Sequence, residues 1–191
     1  MTPVVAVLAL WIGFAVSWVA AMPWSSRPEK RAGLGRELAY RVVLIVGGII
    51  FFIRAHRYDG PLRLWWVPYK TVWPLVGVIA LGFLFAWWAR IWLGPLWSGQ
   101  VTKKPDHRVV DTGPYAIVRH PIYTGILIAT YATMALKGTI PGVVGALLIT
   151  IGLWMKARLE EGWLRAELGA ADYDAYRRRV PMLMPLGPKA K

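Results

Sequence analysis

This sequence predicts an all-α integral membrane protein, folded as one compact bundle of about five transmembrane helices. Hydrophobic residues make up 57% of the 191 and charged residues only 17%, whereas a soluble domain carries about a quarter. Apolar runs of the roughly 20 residues that a bilayer core requires occur more than once. A chain of this length leaves no room beside them for a separate soluble domain of ordinary size, so residues 1–191 are expected to form a single membrane domain.

The first span is expected over 3–22. Met1-Thr2-Pro3 leads into it without a basic stretch, so it reads as a retained helix and not as a cleaved signal peptide. The second follows over 38–53. The third, 71–93, carries Arg90 near its end and stops at the Gly94-Pro95 break. A fourth over 122–136 and a fifth over 143–155 are short, separated by Lys137-Gly138-Thr139-Ile140-Pro141-Gly142, which points to a helical hairpin inside a bundle. From 156 to 179, Leu159, Trp163, Ala166 and Leu168 recur near helical spacing among Glu160, Glu161, Arg165 and Glu167. That helix leaves the membrane and turns amphipathic, with Gly169 as its stop. The Arg177-Arg178-Arg179 run reads as an interfacial anchor. Trp65, Trp66, Trp73, Trp92 and Trp97 fall near span ends, as belt residues do, while Trp87-Trp88 lies deeper, for packing or for lining a tunnel. Gly47-Gly48 and the Gly77–Gly82 spacing permit close helix packing, within one chain or between chains.

Charge sets the orientation. With the N-terminus outside, every Lys and Arg lies on the cytoplasmic side except Arg54, Arg57, Arg63, Lys70 and Lys137, as the positive-inside rule requires. The expected location is a prokaryotic inner membrane, N-terminus outside and C-terminus cytoplasmic. Much of the net charge of +13 is then topology and attraction to anionic lipid headgroups. No basic recognition helix or base-stacking module speaks for nucleic acid. The chain has no Cys, which excludes disulfides, thiolate nucleophiles and Cys-ligated metals. Its three scattered His make no metal ligand set.

Polar chemistry is concentrated between Gly99 and Gly125. This basic, Pro- and Gly-punctuated stretch lies between apolar runs and ends in Arg119-His120-Pro121-Ile122-Tyr123. It reads either as a solvated basic loop or as the place where a cofactor or substrate headgroup is held at the membrane surface. Proline suits the first turn of a helix, and the free N–H groups there also take an anion or carboxylate, with Arg119 and His120 to strengthen the site. Further on, Glu160 and Glu161 sit just past an apolar span, where an unpartnered carboxylate is costly. Lys156 lies four residues before Glu160 on the same helical face, as an ordinary ion pair or as part of a site.

Taken jointly, Arg119-His120-Pro121-x-Tyr123-x-Gly125 after a polar loop, Glu160-Glu161, Leu168-Gly169, Asp172-Tyr173 with Tyr176, and Val180-Pro181 with Pro185 resemble the isoprenylcysteine carboxyl methyltransferase family. These integral membrane methyltransferases are similar in turn to phospholipid N-methyltransferases. The resemblance covers 97–185; residues 1–96 carry no signature. It implies methyl transfer from S-adenosylmethionine, with S-adenosylhomocysteine as product, in a cytoplasmic cofactor pocket formed by the C-terminal half. By position in the pattern, cofactor contacts fall on Gln100, His107, Arg108, Val109, Val110, Tyr115, Arg119, His120, Pro121, Ile122, Tyr123 and Glu160. Lys156, with Arg158 as substitute, is implied to address the substrate, and Lys156 and Glu160 to be the catalytic pair. The family usually has Arg at the place of Lys156. Only Arg offers a bidentate fork to a planar carboxylate, so this departure bears on a carboxylate substrate more than on the cofactor.

The implied chemistry fits the residue inventory. In-line displacement at a sulfonium takes its electrophile from the cofactor, and the protein's part is to align the reactants and exclude water. A carboxylate or thiolate acceptor needs no general base; for an amine, Glu160 or Glu161 would take the proton. The expected acceptor is lipophilic and enters from the bilayer. A prenylcysteine-like carboxylate is the first candidate, and a lipid amine, a phenolic lipid or a hydrophobic thiol are the others. Two further classes stay open. An NADPH-dependent membrane reductase, similar around His-Pro to sterol reductases, would bind NADPH instead. A non-enzymatic lipid-binding protein would associate with membrane lipids in a salt-sensitive way and have no saturable cofactor site.

Overall fold

The computed structural model describes residues 2–24, 30–31, 34–53, 61–97, 102–103 and 109–189. The described residues form helices α1 (Pro3–Ala20), α2 (Leu34–Phe52), α3 (Tyr69–Leu93), the single turn α4 (Pro114–Ile117), α5 (Pro121–Lys137), α6 (Ile140–Leu168) and α7 (Ala170–Arg179). One short antiparallel pairing joins Lys30–Arg31 to Thr102–Lys103. Helix starts follow local chemistry. Thr2 Oγ1 accepts from Val5 N at 3.4 Å ahead of Pro3, and Thr139 Oγ1 accepts from Gly142 N at 3.2 Å ahead of Pro141, each hydroxyl satisfying an N–H that the first turn leaves open. Between α5 and α6, Gly138 turns the chain with φ +57°, a conformation that costs glycine nothing.

Pro3–Ala20, Tyr69–Leu93 and Ile140–Glu167 are long and apolar enough to cross a membrane, which makes this an integral membrane protein of the helical type. Two of the five expected spans fall outside that class. The sequence of α2 carries Arg36, Glu37 and Arg41 in its first turns, and α5 has 17 residues. The fifth expected span, 143–155, is only the middle of α6, which runs unbroken for 29 residues to Gly169. At 1.5 Å per residue that is about 44 Å, well beyond the roughly 30 Å of bilayer hydrocarbon. The amphipathic stretch is therefore the far end of the same helix.

The helices do not pair in chain order. α2 lies against α6 and α3 against α5, while the turn-linked α5 and α6 touch less. Small residues let these backbones approach closely. A Cβ on Gly145 would fall 2.6 Å from the Phe51 backbone, one on Gly47 2.8 Å from Leu148 Cβ, and one on Gly152 2.7 Å from the Leu44 side chain. Gly82 and Gly125 face one another, a Cβ on Gly82 falling 2.6 Å from Gly125 O. The close packing is thus within the chain for Gly47 and Gly82, whereas Gly48 and Gly77 meet nothing.

α1 buries Ala6 alone and is attached through aromatic rings. Trp11 meets Phe51, Phe52 and Phe83 edge-on, and its Nε1 donates to Thr133 Oγ1 at 3.0 Å. Phe14 stacks on Phe83 with centroids 4.3 Å apart. Trp87 is a packing residue: its ring meets Trp18 and its Nε1 donates to Ser17 Oγ at 3.1 Å. Where α3 ends, the buried Arg90 donates to Gly94 O at 2.8 Å and Ala21 O at 3.2 Å, with the rings of Trp24 and Trp97 at 4.8 and 4.4 Å. Beside it, Ala89, Tyr115 and Ile122 pack with Trp18, Val110 and Tyr123. This end of the bundle carries the polar cluster.

Candidate active site

The start of α5 is held by chain that comes much later. His120 precedes Pro121 at the helix start without a side-chain cap. Arg119 N donates to Pro181 O at 2.9 Å, His120 N to Met182 O at 3.1 Å, and Thr124 Oγ1 to Leu183 O at 2.6 Å. Residues 180–183 therefore lie along the first turn of α5. α6 presents Lys156, Glu160 and Glu161 to the same place.

Glu161 is the hub of a buried lattice. Arg119 Nε donates to its Oε1 at 2.7 Å and the Arg119 Nη2 to its Oε2 at 3.3 Å, with both side chains under 5% exposed. His120 Nε2 lies 3.2 Å from the same Oε1, and Arg177 Nε is 3.3 Å from Oε2 as an ion pair without hydrogen-bond alignment. The Arg119 Nη1 goes on to Arg177 O at 3.1 Å and to Val180 O. A carboxylate so enclosed is tolerated because charge-assisted bonds fill its lone pairs.

Glu160 differs from its neighbour. Its side chain keeps 17% exposure, and it accepts from the Tyr123 hydroxyl at 2.6 Å. Its other neighbours are His120 Nδ1 at 3.6 Å and Lys156 Nζ at 3.8 Å. The His120 and Tyr123 rings stack with centroids 5.3 Å apart. A neutral imidazole donates from one nitrogen only, and Nε2, facing Glu161, is the one within hydrogen-bond distance.

Behind this layer, Tyr176 donates its hydroxyl to Tyr115 O at 2.7 Å. Burial pushes the Tyr115, Tyr173 and Tyr176 phenols far above their ordinary range, so each stays a neutral donor. Val109 packs with Tyr173, Tyr176 and Val180, and Val110 with Tyr115 and Ile122. Within the arginine run expected to anchor the chain at the lipid surface, Arg177 meets Glu161 and Asp174, Arg179 meets Asp111 at 2.9 Å, and only Arg178 faces outward unengaged by any of these.

The structure thus gathers Arg119, His120, Tyr123, Lys156 and Glu160 into one cluster, with Val109, Val110, Tyr115, Pro121 and Ile122 packed around it. Arg158 stands apart, exposed, with its guanidinium 5.6 Å from the Trp154 ring. Gln100, His107 and Arg108 lie outside the described residues. Sequence reasoning gave Glu161 only an alternative part and assigned none to Arg177 or to Tyr40 of α2, whose ring centroid lies 5.9 Å from Lys156 Nζ. The Asp172-Tyr173 and Tyr176 pattern was a signal for α7; nothing in the sequence of α2 signalled Tyr40. Among the described residues, no group of three or more His, Asp or Glu could hold a metal ion.

The sequence profile of the isoprenylcysteine carboxyl methyltransferase family matches residues 75–165, which carry α5 with most of α3 and α6. The matched span is just under half of the chain, and over it the chain is similar to this family. Curated relatives include the protein-S-isoprenylcysteine O-methyltransferase of Schizosaccharomyces pombe, 34% identical over 59% of this chain and 49% of its own length. The methanethiol S-methyltransferase 2 of Bradyrhizobium diazoefficiens is 34% identical over 65% of this chain and 51% of its own. The protein-S-isoprenylcysteine O-methyltransferase B of Arabidopsis thaliana is 23% identical over 76% of this chain and 73% of its own. The chain spans about half the length of the first two relatives. Two parts of the cluster lie outside the span matched to the family: the α7–tail segment that holds Arg119, and Tyr40 on α2.

Proposed function

We propose that this protein transfers the methyl group of S-adenosylmethionine to a lipophilic acceptor at the inner face of a membrane. The observation that carries the reading is the Glu160 cluster. A part-exposed carboxylate stands among Tyr123, His120 and Lys156, at the end of the bundle where α5 begins. The match of residues 75–165 to a family of methyltransferases supports it. The donor set fits the cofactor, since it offers a carboxylate for ammonium or hydroxyl groups, and N–H groups at the start of a 17-residue helix for a carboxylate.

S-adenosylmethionine, when bound, supplies a methyl group on a sulfonium and leaves as S-adenosylhomocysteine. Glu160, His120, Tyr123 and Tyr115 would hold it, with Val109, Val110 and Ile122 as apolar walls. Glu161 and Arg119 keep the start of α5 in place and so fix where Tyr123 and His120 stand. Lys156 faces the acceptor and holds its charge in line for displacement, while the apolar surroundings exclude water. α2 and α5 cross the bilayer together with the three long helices, to which they are matched along glycine faces. The N-terminus is outside and the cluster faces the cytoplasm of a prokaryotic cell. With α6 starting at the outer face, about 20 residues of helix bring Glu160 to the inner edge of the hydrocarbon.

Lys156 favours a second reading of the acceptor. A lysine is a single compact charge and an arginine a planar fork. A thiolate, whose charge sits on one atom, suits Lys156 better than a carboxylate does, and relatives named for methanethiol point the same way.

Calorimetry on detergent-purified protein tests the function. S-adenosylmethionine and S-adenosylhomocysteine are expected to bind saturably, about tenfold or more weakly to Glu160→Gln and His120→Ala. Labelled methyl groups are expected to pass to 1-octanethiol or to S-farnesylcysteine. A folded, monodisperse protein that bound NADPH and neither of these cofactors would replace this reading with a reductase.

A further inference from the structure

The register of the α2–α6 pair brings a residue of α2 to the cluster. Along the two helices Phe51 meets Gly145, Gly47 meets Leu148, and Leu44 meets Gly152. One further turn sets Tyr40 opposite Lys156. The Tyr40 residue is 4% exposed, and its ring centroid lies 5.9 Å from Lys156 Nζ. The Tyr123 ring stands 5.4 Å from the same nitrogen, and Glu160 Oε1 is 3.8 Å away. The ammonium thus lies within reach of two aromatic rings, one from the half of the chain with the family pattern and one from the half without it.

We propose that Tyr40 is a positioning residue for Lys156, and through it helps to set which acceptor headgroup the protein takes. The proposal rests on the reading of Lys156 as the acceptor-facing cation. A lysine head on a four-carbon stem has many places to go. At the edge of a membrane, lipid phosphates compete for it. Two ring faces within cation–π range attract the ammonium and block the alternatives. A lysine so held presents one charge at one position, which a small anionic headgroup on a lipophilic tail can meet.

The test uses Tyr40→Phe, which keeps the ring, and Tyr40→Leu, which removes it, with Tyr40→Met as a bulkier replacement should Leu loosen the α2–α6 pair. KM and kcat are measured with 1-octanethiol and S-farnesylcysteine, cofactor affinity by calorimetry, and Lys156 accessibility by reductive methylation read by mass spectrometry. Tyr40→Phe is expected within about twofold of the parent throughout. Tyr40→Leu is expected to raise the acceptor KM about three- to tenfold, leave kcat and cofactor affinity within about twofold, and label Lys156 several-fold faster. In a Lys156→Gln background it should add nothing, since both changes remove the same interaction. An equal KM effect in both backgrounds, or unchanged labelling and KM in Tyr40→Leu, overturns the proposal. A parent protein that binds no S-adenosylmethionine, yet shows the same labelling contrast, sinks the methyltransferase reading and supports the hold of Tyr40 on Lys156.

Discussion

Two adjacent carboxylates stand in opposite surroundings. Glu161 is enclosed by Arg119, His120 and Arg177, whereas Glu160 keeps part of its surface open and meets Tyr123. Removing one partner of a buried ion pair leaves charge without compensation and typically costs about 3 kcal/mol or more. Glu161→Gln, which sets two guanidiniums against a neutral amide, is expected to lose about that much stability. Glu160→Gln should stay within about 0.5 kcal/mol of the parent while weakening cofactor binding. Thermal unfolding in detergent beside calorimetry separates the two, and equal destabilisation by both would contradict the division. That the Glu pair, just past an apolar span, needed partners was legible in the sequence. Which of them faces inward was not, because the answer depends on Arg177, sixteen residues on in another helix.

At the scale of the element, helix pairing rests on glycine contacts. Gly82 and Gly125 each face the other's carbonyl, and Gly77, five residues before Gly82, faces open space. Gly82→Ala is expected to part α3 from α5 at a cost of about 1–3 kcal/mol, carrying the start of α5 and its cofactor affinity along. Gly77→Ala should be neutral or stabilising by up to about 1 kcal/mol, through helix propensity alone. Thermal midpoints of the two variants decide. Hydropathy and the Gly and Pro breaks located the helices well, and Gly138 and Gly169 end α5 and α6 as their composition suggests. The extent of α6 was harder to read. Its polar residues from Lys156 onward look like the end of a span, yet a helix can continue into water so long as its own carbonyls stay bonded. The pairing of α2 with α6 was beyond reach, since hydropathy reports that a face is apolar and not what covers it.

At the scale of the whole molecule, the cluster closes only when the chain returns to it. The backbone N–H groups of Arg119 and His120 reach Pro181 and Met182, and Arg119 also bonds Val180 O. A protein cut after Arg179 is expected to keep most of its helical circular dichroism. It should lose at least about tenfold in S-adenosylmethionine affinity, since four hydrogen bonds at the helix start go unmade. Full affinity in the cut protein would show the tail to be dispensable. The family pattern pointed to this region through Val180-Pro181, but no local signal says that an extended tail should seek a helix start sixty residues earlier. The nested pairing, α3–α5 inside α2–α6, also bears on how the protein is made. Helices leave the ribosome in order, so α2 and α3 are made before the helices that cover their glycine faces. α3 finds its partner when α5 arrives, and α2 waits longer, until α6 has been synthesised. The last contact to form is the one that settles the start of α5. Nascent chains short of residue 183 therefore hold paired helices around an α5 start that its later partners have not yet fixed.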